Sequence, residues 1–264
     1  VRIIVTRPER EAKKWVQSLC EAGFDAWALP LIAVGSAPDP SAVVAAWSRI
    51  DQYDAVMFVS GNAVEQFFAF KPAVAPVFTA QDATKKRAFV TGPGSRTALL
   101  VAGVAASCID MPDLQADVFD SEALWNVVAH RVATGYRVLI VRGANDDETH
   151  SPQGQGRDWF SQKVRAAGGM VDVVVAYQRY CPVFTHAQRD RVLAAATDAS
   201  IWLFSSSQAI GYLTTAFAGQ DWSRARALAT HPRIAKAARA AGFGEVHTSS
   251  PSLSAVKASI ESTA

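Results

Sequence analysis

The chain is poor in cysteine: Cys20, Cys108 and Cys181 are the three in 264 residues, widely spaced and without a C-x-x-C. That excludes a disulfide scaffold and a zinc site, and it sets the expectation of a reducing, cytoplasmic compartment. No apolar run approaches the roughly 18 residues of a membrane span. A formal net charge of +2 gives no bulk electrostatic case for nucleic acid or a membrane surface, so neither is expected as a partner, and an acidic ligand must be met locally. The five histidines never fall at a metal-ligand spacing, and no Gly-x-Ser-x-Gly elbow occurs. Thr91-Gly92-Pro93-Gly94-Ser95-Arg96-Thr97 has two glycines in G-x-G spacing but no third at the fingerprint position and no Gly-Lys-Ser, so it supports neither a dinucleotide site nor a P-loop.

What is present is apolar and repetitive. Half of the residues are hydrophobic, and 264 residues can hold one large α/β domain or two of roughly 120 residues. Arg2-Ile3-Ile4-Val5-Thr6-Arg7-Pro8 matches Arg137-Val138-Leu139-Ile140-Val141-Arg142-Gly143 at an offset of 135 residues. Val56 to Val64 lies over Trp202 to Ile210, and Ala88 to Pro93 over Ala227 to Pro232. Three such pairs indicate an internal duplication, with a simple cut near residue 134.

Apolar periodicity predicts strands at Val1 to Val5, Ala26 to Val34, Ala55 to Val59, Ala88 to Val90, Val104 to Ile109, Arg137 to Val141, Val171 to Tyr180, Ile201 to Phe204, Ala227 to Ala229 and Gly244 to His247. Helices are predicted over Pro8 to Ala22, after Ser41 as a cap, after Asn62, over Asp120 to Arg131 and from about Arg157 to Ala167. Asp146 to Gly156 is polar, Gly-containing and long for a connection, and is expected to be mobile. Its Asp146-Asp147-Glu148 cluster with His150 is read as a solvated acidic run rather than an ion site.

Alternation of strand and helix specifies parallel sheets covered on both faces, whose ligands sit beyond the carboxyl ends of strands. Those ends are Thr6-Arg7-Pro8, Ser60-Gly61-Asn62, Thr91 to Ser95, Arg142-Gly143-Ala144-Asn145, Ser205 to Gln208 and Thr230 to Arg233. Small hydroxyl residues and glycines there expose the first N–H groups of the following helix, which suit carboxylate or phosphate. The alternative for each turn is a plain helix cap. Arg7 and Arg142, at equivalent places, either clamp a carboxylate or form salt bridges within their own domains. Tyr177, with Arg179 two residues on and on the same face, is either packing or an acid in a cleft.

These motifs, in order over nearly the whole chain, resemble the uroporphyrinogen-III synthase family. The phrases that carry the likeness are Val5-Thr6-Arg7-Pro8, Phe58 to Val64, Thr91-Gly92-Pro93, Asp120 to Leu124, Leu139 to Gly143, Ala176-Tyr177-Gln178-Arg179, Phe204-Ser205-Ser206, and His231 to Ile234 ahead of Ala241-Gly242-Phe243. The chain departs from the common pattern at the Thr91 to Gly94 turn and in the length of Asp146 to Gly156.

The resemblance implies two Rossmann/flavodoxin-like parallel-sheet α/β domains, derived by duplication with exchanged segments and joined by a two-stranded β linker. One domain would be residues 1–34 with 182–264, the other residues 38–173, and the linker strands residues 28–35 and 174–183. It implies cyclisation of hydroxymethylbilane to uroporphyrinogen III with loss of water and inversion of the last ring through a spiro intermediate, without a cofactor. No metal is expected from the residues, and a monomer is the default, because no unexplained apolar helix face remains after the repeats are assigned. Tyr177 takes the family's catalytic position. Arg7, Ser60, Thr91, Gly92, Ser95, Arg142, Gly143, Ala144, Ser205, Ser206, Thr230 and Arg233 fall on its substrate-binding loops. Two other readings stay open: a non-catalytic two-domain protein that binds a small polycarboxylate, and a sugar- or nucleotide-phosphate transferase, which would need a motif the chain lacks.

Overall fold

A computed structural model describes residues 1–73, 78–79, 86–113, 119–145 and 158–263. The expected mobile segment Asp146 to Gly156, with its acidic cluster, lies outside the described residues. The chain divides into two compact units, Val1–Ala33 with Tyr180–Ala264, and Val34–Arg179.

The first unit holds β1 (Arg2–Val5), α1 (Glu9–Glu21) and β2 (Asp25–Ala28) from the start of the chain. To these it adds α7 (His186–Ala195), β9 (Ile201–Phe204), α8 (Ser207–Ala216), β10 (Arg226–Ala229), α9 (Pro232–Ala240), β11 (Glu245–Thr248) and α10 (Leu253–Thr263). The second unit holds β3 (Ala33–Ser36), α2 (Pro40–Ser48), β4 (Ala55–Phe58), α3 (Gly61–Phe68), β5 (Arg87–Val90), α4 (Pro93–Val101), β6 (Ile109–Asp110), α5 (Ser121–Val128), β7 (Arg137–Asn145), α6 (Asp158–Ala166) and β8 (Met170–Tyr180).

The two sheets run β2-β1-β9-β10-β11 and β3-β8-β7-β4-β5-β6. The pairs β1–β2, β1–β9, β9–β10, β10–β11, β4–β5, β4–β7, β5–β6 and β7–β8 are all parallel. The repeats noted in the sequence place β1 over β7, β9 over β4 and β10 over β5, and counted from the β11 and β6 edges these strands occupy the same ranks in their sheets. In the first unit β1, beside β9, comes first in the chain; in the second its counterpart β7, beside β4, comes after β4, β5 and β6.

Burial follows the pleat, because successive residues of a strand face opposite sides. In β4, Val56 and Phe58 enter one core with Trp47, Phe67 and Tyr177, while Ala55 and Met57 enter another with Phe89, Leu124 and Phe160. In β1, Ile4 packs with Trp202 and Phe204, while Ile3 and Val5 pack with Leu19 and Leu203. Both faces of each sheet are therefore covered, which is why these strands read as continuous apolar runs.

Several local expectations are corrected. The single strand at Ala26 to Val34 is two strands in different sheets, β2 and β3. Pro30 lies between them and has no N–H for a ladder. The cap of α2 is Asp39, whose carboxylate accepts from Ser41 N at 2.9 Å. Pro40 takes the first helical position and leaves Asp39 extended. Between Val104 and Ile109 there is a 3-10 turn, Ala106–Cys108, and then the two-residue β6. The helix that was expected to reach Arg131 ends at Val128 and tightens into a 3-10 turn, Ala129–Arg131.

Candidate functional site

The second unit brings together Ser60, Gly143, Tyr177 and Arg179. Tyr177 lies on β8, two strands away from β4, with β7 between them. Its ring crosses β7 over Gly143, where a Cβ would overlap it, and its hydroxyl reaches the end of β4, 3.1 Å from Ser60 Oγ. Neighbouring strands are about 4.8 Å apart, so a tyrosine can span two of them only if the middle strand contributes no side chain.

A register shift prepares this crossing. Arg142 pairs with Val175 but Gly143 pairs with Tyr177, so Ala176 is an extra residue on β8. Successive residues ordinarily alternate between faces, yet Ala176 and Tyr177 are both fully buried and belong to the same core. The bulge turns the tyrosine inward.

The hydrogen bonds around Tyr177 have a fixed direction. Arg179 Nη2 donates to the phenolic oxygen at 2.9 Å, and the guanidinium carbon lies 5.5 Å from the ring centroid. Arginine has no acceptor, so the phenol's own hydrogen must go elsewhere. Tyr177 is 0% exposed, and Ser60 Oγ is the acceptor within reach. The reverse direction would leave that buried hydrogen unpaired at a cost of about 1–3 kcal/mol. Ser60 Oγ also accepts from Ala63 N at 3.2 Å as the cap of α3. With both lone pairs engaged, its own hydrogen points away from them, and Ser60 is partly exposed.

The next turn lies alongside. A Cβ on Gly61 would come 3.7 Å from the Gly94 carbonyl oxygen and 3.8 Å from Ala98 Cβ, so the beginnings of α3 and α4 are neighbours. Gly92 is the N-cap of α4, with no side-chain cap. Thr91 and Gly92 are partly exposed, whereas Ser95 is buried in the first turn.

Arg142, Gly143, Ala144 and Asn145 do not form the expected strand-end turn. They continue β7 to Asn145, paired through to Arg179. Arg142 and Ala144 are partly exposed, and Gly143 is covered by the tyrosine.

In the first unit the ends of β1, β9 and β10 are adjacent. Thr6 Oγ1 donates to Leu203 O at 2.7 Å, and Thr230 N donates to Phe204 O at 3.0 Å. Ser206 is the N-cap of α8 without a side-chain hydrogen bond, next to partly exposed Ser205. Thr230 is buried, while Arg233 is exposed and its N–H donates to His231 Nδ1 at 3.1 Å. His231 thus caps α9 and carries its remaining ring proton, when neutral, on Nε2. Sequence reasoning missed this cap; its position before Pro232, mirroring Gly92 before Pro93, was the available signal.

Arg7 follows the internal-pairing alternative, since Nη1 bonds Glu11 at 2.9 Å and the guanidinium carbon stacks 4.0 Å from the Trp15 centroid. Plain capping holds for Ser60 and not for Gly92 or Ser206. Among the described residues no group of three or more His, Cys, Asp or Glu could hold a metal ion.

The family model described as uroporphyrinogen-III synthase HemD matches residues 13–256. Among solved structures, a uroporphyrinogen-III synthetase from Helicobacter pylori is similar at 15% identity and TM-score 0.60, over 100% of both chains. A mutant uroporphyrinogen III synthase from Thermus thermophilus is similar at 16% identity and TM-score 0.55, over 100% of this chain and 98% of that one. At these identities the two structures speak for the fold.

Proposed function

The chain belongs to the uroporphyrinogen-III synthase family, and from that premise we propose how its own residues serve the reaction. It is a cyclising lyase of haem biosynthesis that closes hydroxymethylbilane to uroporphyrinogen III with loss of water and inversion of the last ring. Departure of the terminal hydroxyl leaves an azafulvene cation; attack by the substituted carbon of the last ring gives the spiro intermediate, which fragments and recombines inverted. The bilane closes unassisted to the uninverted isomer, so the protein's task is to hold one folded conformation while the hydroxyl leaves.

In our reading the proton that assists this departure originates at Tyr177. A positioned acid contributes on the order of 100-fold or more. The bilane carries eight carboxylates as its recognition handles. We assign their binding to Thr91, Gly92 and Ser95 at the start of α4, Arg142 and Ala144 beside the tyrosine, and Ser205, Ser206, Thr230 and Arg233 in the first unit. The uncapped starts of α4 and α8 support this, because first-turn N–H groups without a side-chain partner accept an anion. Arg7 joins only by giving up Glu11. We further propose a cytoplasmic monomer. None of the three cysteines is disulfide-bonded, and no described helix is long and apolar enough to cross a membrane.

The observation that carries the residue assignment is the buried Tyr177 phenol held between Ser60 and Arg179. The test supplies the purified protein with freshly generated hydroxymethylbilane and separates the oxidised uroporphyrin isomers against a no-enzyme control. Predominantly type III product is expected, and Tyr177→Phe should lower its rate of formation. Only type I product from a folded protein would overturn the reading.

A further inference from the structure

We propose that Ser60 is the catalytic residue that touches the departing hydroxyl, and that Tyr177 is a positioning residue that reloads Ser60 from behind. This rests on the synthase reading of the same site. Tyr177 has no exposed surface, so its oxygen cannot meet a substrate atom in this arrangement. Ser60, at the tip of β4, is partly exposed and turns its hydrogen away from the two donors that occupy its lone pairs.

The proton path follows from those directions. The Ser60 O–H bond breaks as its proton passes to the hydroxyl oxygen of the bilane, whose C–O bond breaks and releases water. The Tyr177 proton moves to Ser60 in the same event, and the electron pair of the phenolic O–H bond stays on the tyrosine oxygen. Arg179 Nη2, 2.9 Å from that oxygen, offsets the new charge and cannot compete for the proton. When the inverted ring regains aromaticity it releases one proton, which returns through Ser60 to Tyr177. Water and the macrocycle are the only products, and both side chains end as they began. A serine acting alone would have to become an alkoxide, whereas here the charge is delocalised into the Tyr177 ring and faces the Arg179 guanidinium.

The experiment compares wild type, Ser60→Ala, Ser60→Thr, Tyr177→Phe and the double variant Ser60→Ala/Tyr177→Phe. It measures kcat and KM for type III product, with near-UV circular dichroism to verify the fold. Both single losses should lower kcat by a similar factor, on the order of 100-fold, with KM within about threefold. The double variant should be no slower than the singles, and Ser60→Thr should recover most of the rate. Wild type in mixtures of H2O and D2O should show a curved proton inventory, since two protons move together; this reading requires no variant to fold. A linear inventory, or Ser60→Ala at near wild-type kcat while Tyr177→Phe is slow, overturns the relay and leaves the synthase reading intact. Wild type that forms only type I product overturns both.

Discussion

Gly143 lies directly beneath the ring of Tyr177: the glycine occupies the middle strand of three, and the tyrosine crosses it from β8 to reach Ser60 at the end of β4. The need for glycine is steric, because Gly143 is not among the residues with positive φ. A methyl group there must displace the ring, and the ring is already fully buried. Gly143→Ala is therefore expected to cost about 1–3 kcal/mol through overpacking. It should also separate Tyr177 from Ser60 and slow type III formation. Chemical denaturation and the isomer assay check the two effects; wild-type values in both would show that the crossing is not tight.

At the opposite end of the second sheet, Arg87 and Asp110 form a buried bidentate pair, with Nε and Nη2 each 2.6 Å from a carboxylate oxygen. Arg87 Nη1 also donates to Ser107 O at 2.6 Å, and Arg131 Nε approaches Asp110 at 3.3 Å. The hydrogen bond to Asp110 raises the Arg87 pKa, so the guanidinium keeps its charge. Asp110→Asn would leave that charge buried without its partner, at a cost of about 3–5 kcal/mol. Replacing both residues by leucine should recover part of the loss. Urea midpoints of the three proteins decide this, and an Asp110→Asn midpoint equal to wild type would refute it.

The duplication and the central strands were legible because β1, β4, β5, β7, β9 and β10 are covered on both faces and read as apolar runs bounded by turns. The break between β2 and β3 was hidden, since Leu29, Leu31 and Ile32 are as apolar as strand residues and are buried. Only Pro30 marked it. Ser60, Gly143 and Tyr177 were each singled out from the sequence, but their assembly was not. Ser60 and Tyr177 are 117 residues apart, and they meet only because the strand order is β8-β7-β4 and Ala176 shifts the register. Periodicity carries no information about either. The Arg7 and Glu11 pair, by contrast, is an i,i+4 contact that the sequence displays.

Tyr136 gives the fold a defined alkaline limb. Burial, then the nearby Asp54 charge, push its phenol from an ordinary 10 up to about 12. The folded state thus holds the proton more tightly than the unfolded chain, so this contribution is complete below about pH 10 and is lost as pH rises towards 12. Allowing for its partial exposure, the loss is on the order of 1–2 kcal/mol. Tyr53 is also raised, by burial and then by its hydrogen bond to Asp172. Ultraviolet titration should show late-ionising tyrosines, and Tyr136→Phe should remove one of them and flatten the fall in stability above pH 10. Ionisation of all five tyrosines together near their ordinary value would contradict this.

Gly211 is the converse of Gly143. It sits in the middle of α8, has no positive φ, and a Cβ there would meet nothing within 4 Å. Its carbonyl accepts from Thr214 Oγ1 at 2.9 Å, a bond that a methyl group at the Cα leaves in place. Glycine inside a helix costs about 0.5–1 kcal/mol relative to alanine, chiefly through the freedom of the unfolded chain. Gly211→Ala should therefore raise stability by roughly that amount. The substitution adds its methyl to the groove that Gly211 lines with Ser207, Ile210, Thr214 and Phe217, more than a helical turn past the Ser206 cap. Type III formation should proceed at the wild-type rate while the urea midpoint rises. A lower midpoint would mean that α8 carries a constraint at this position beyond its own backbone.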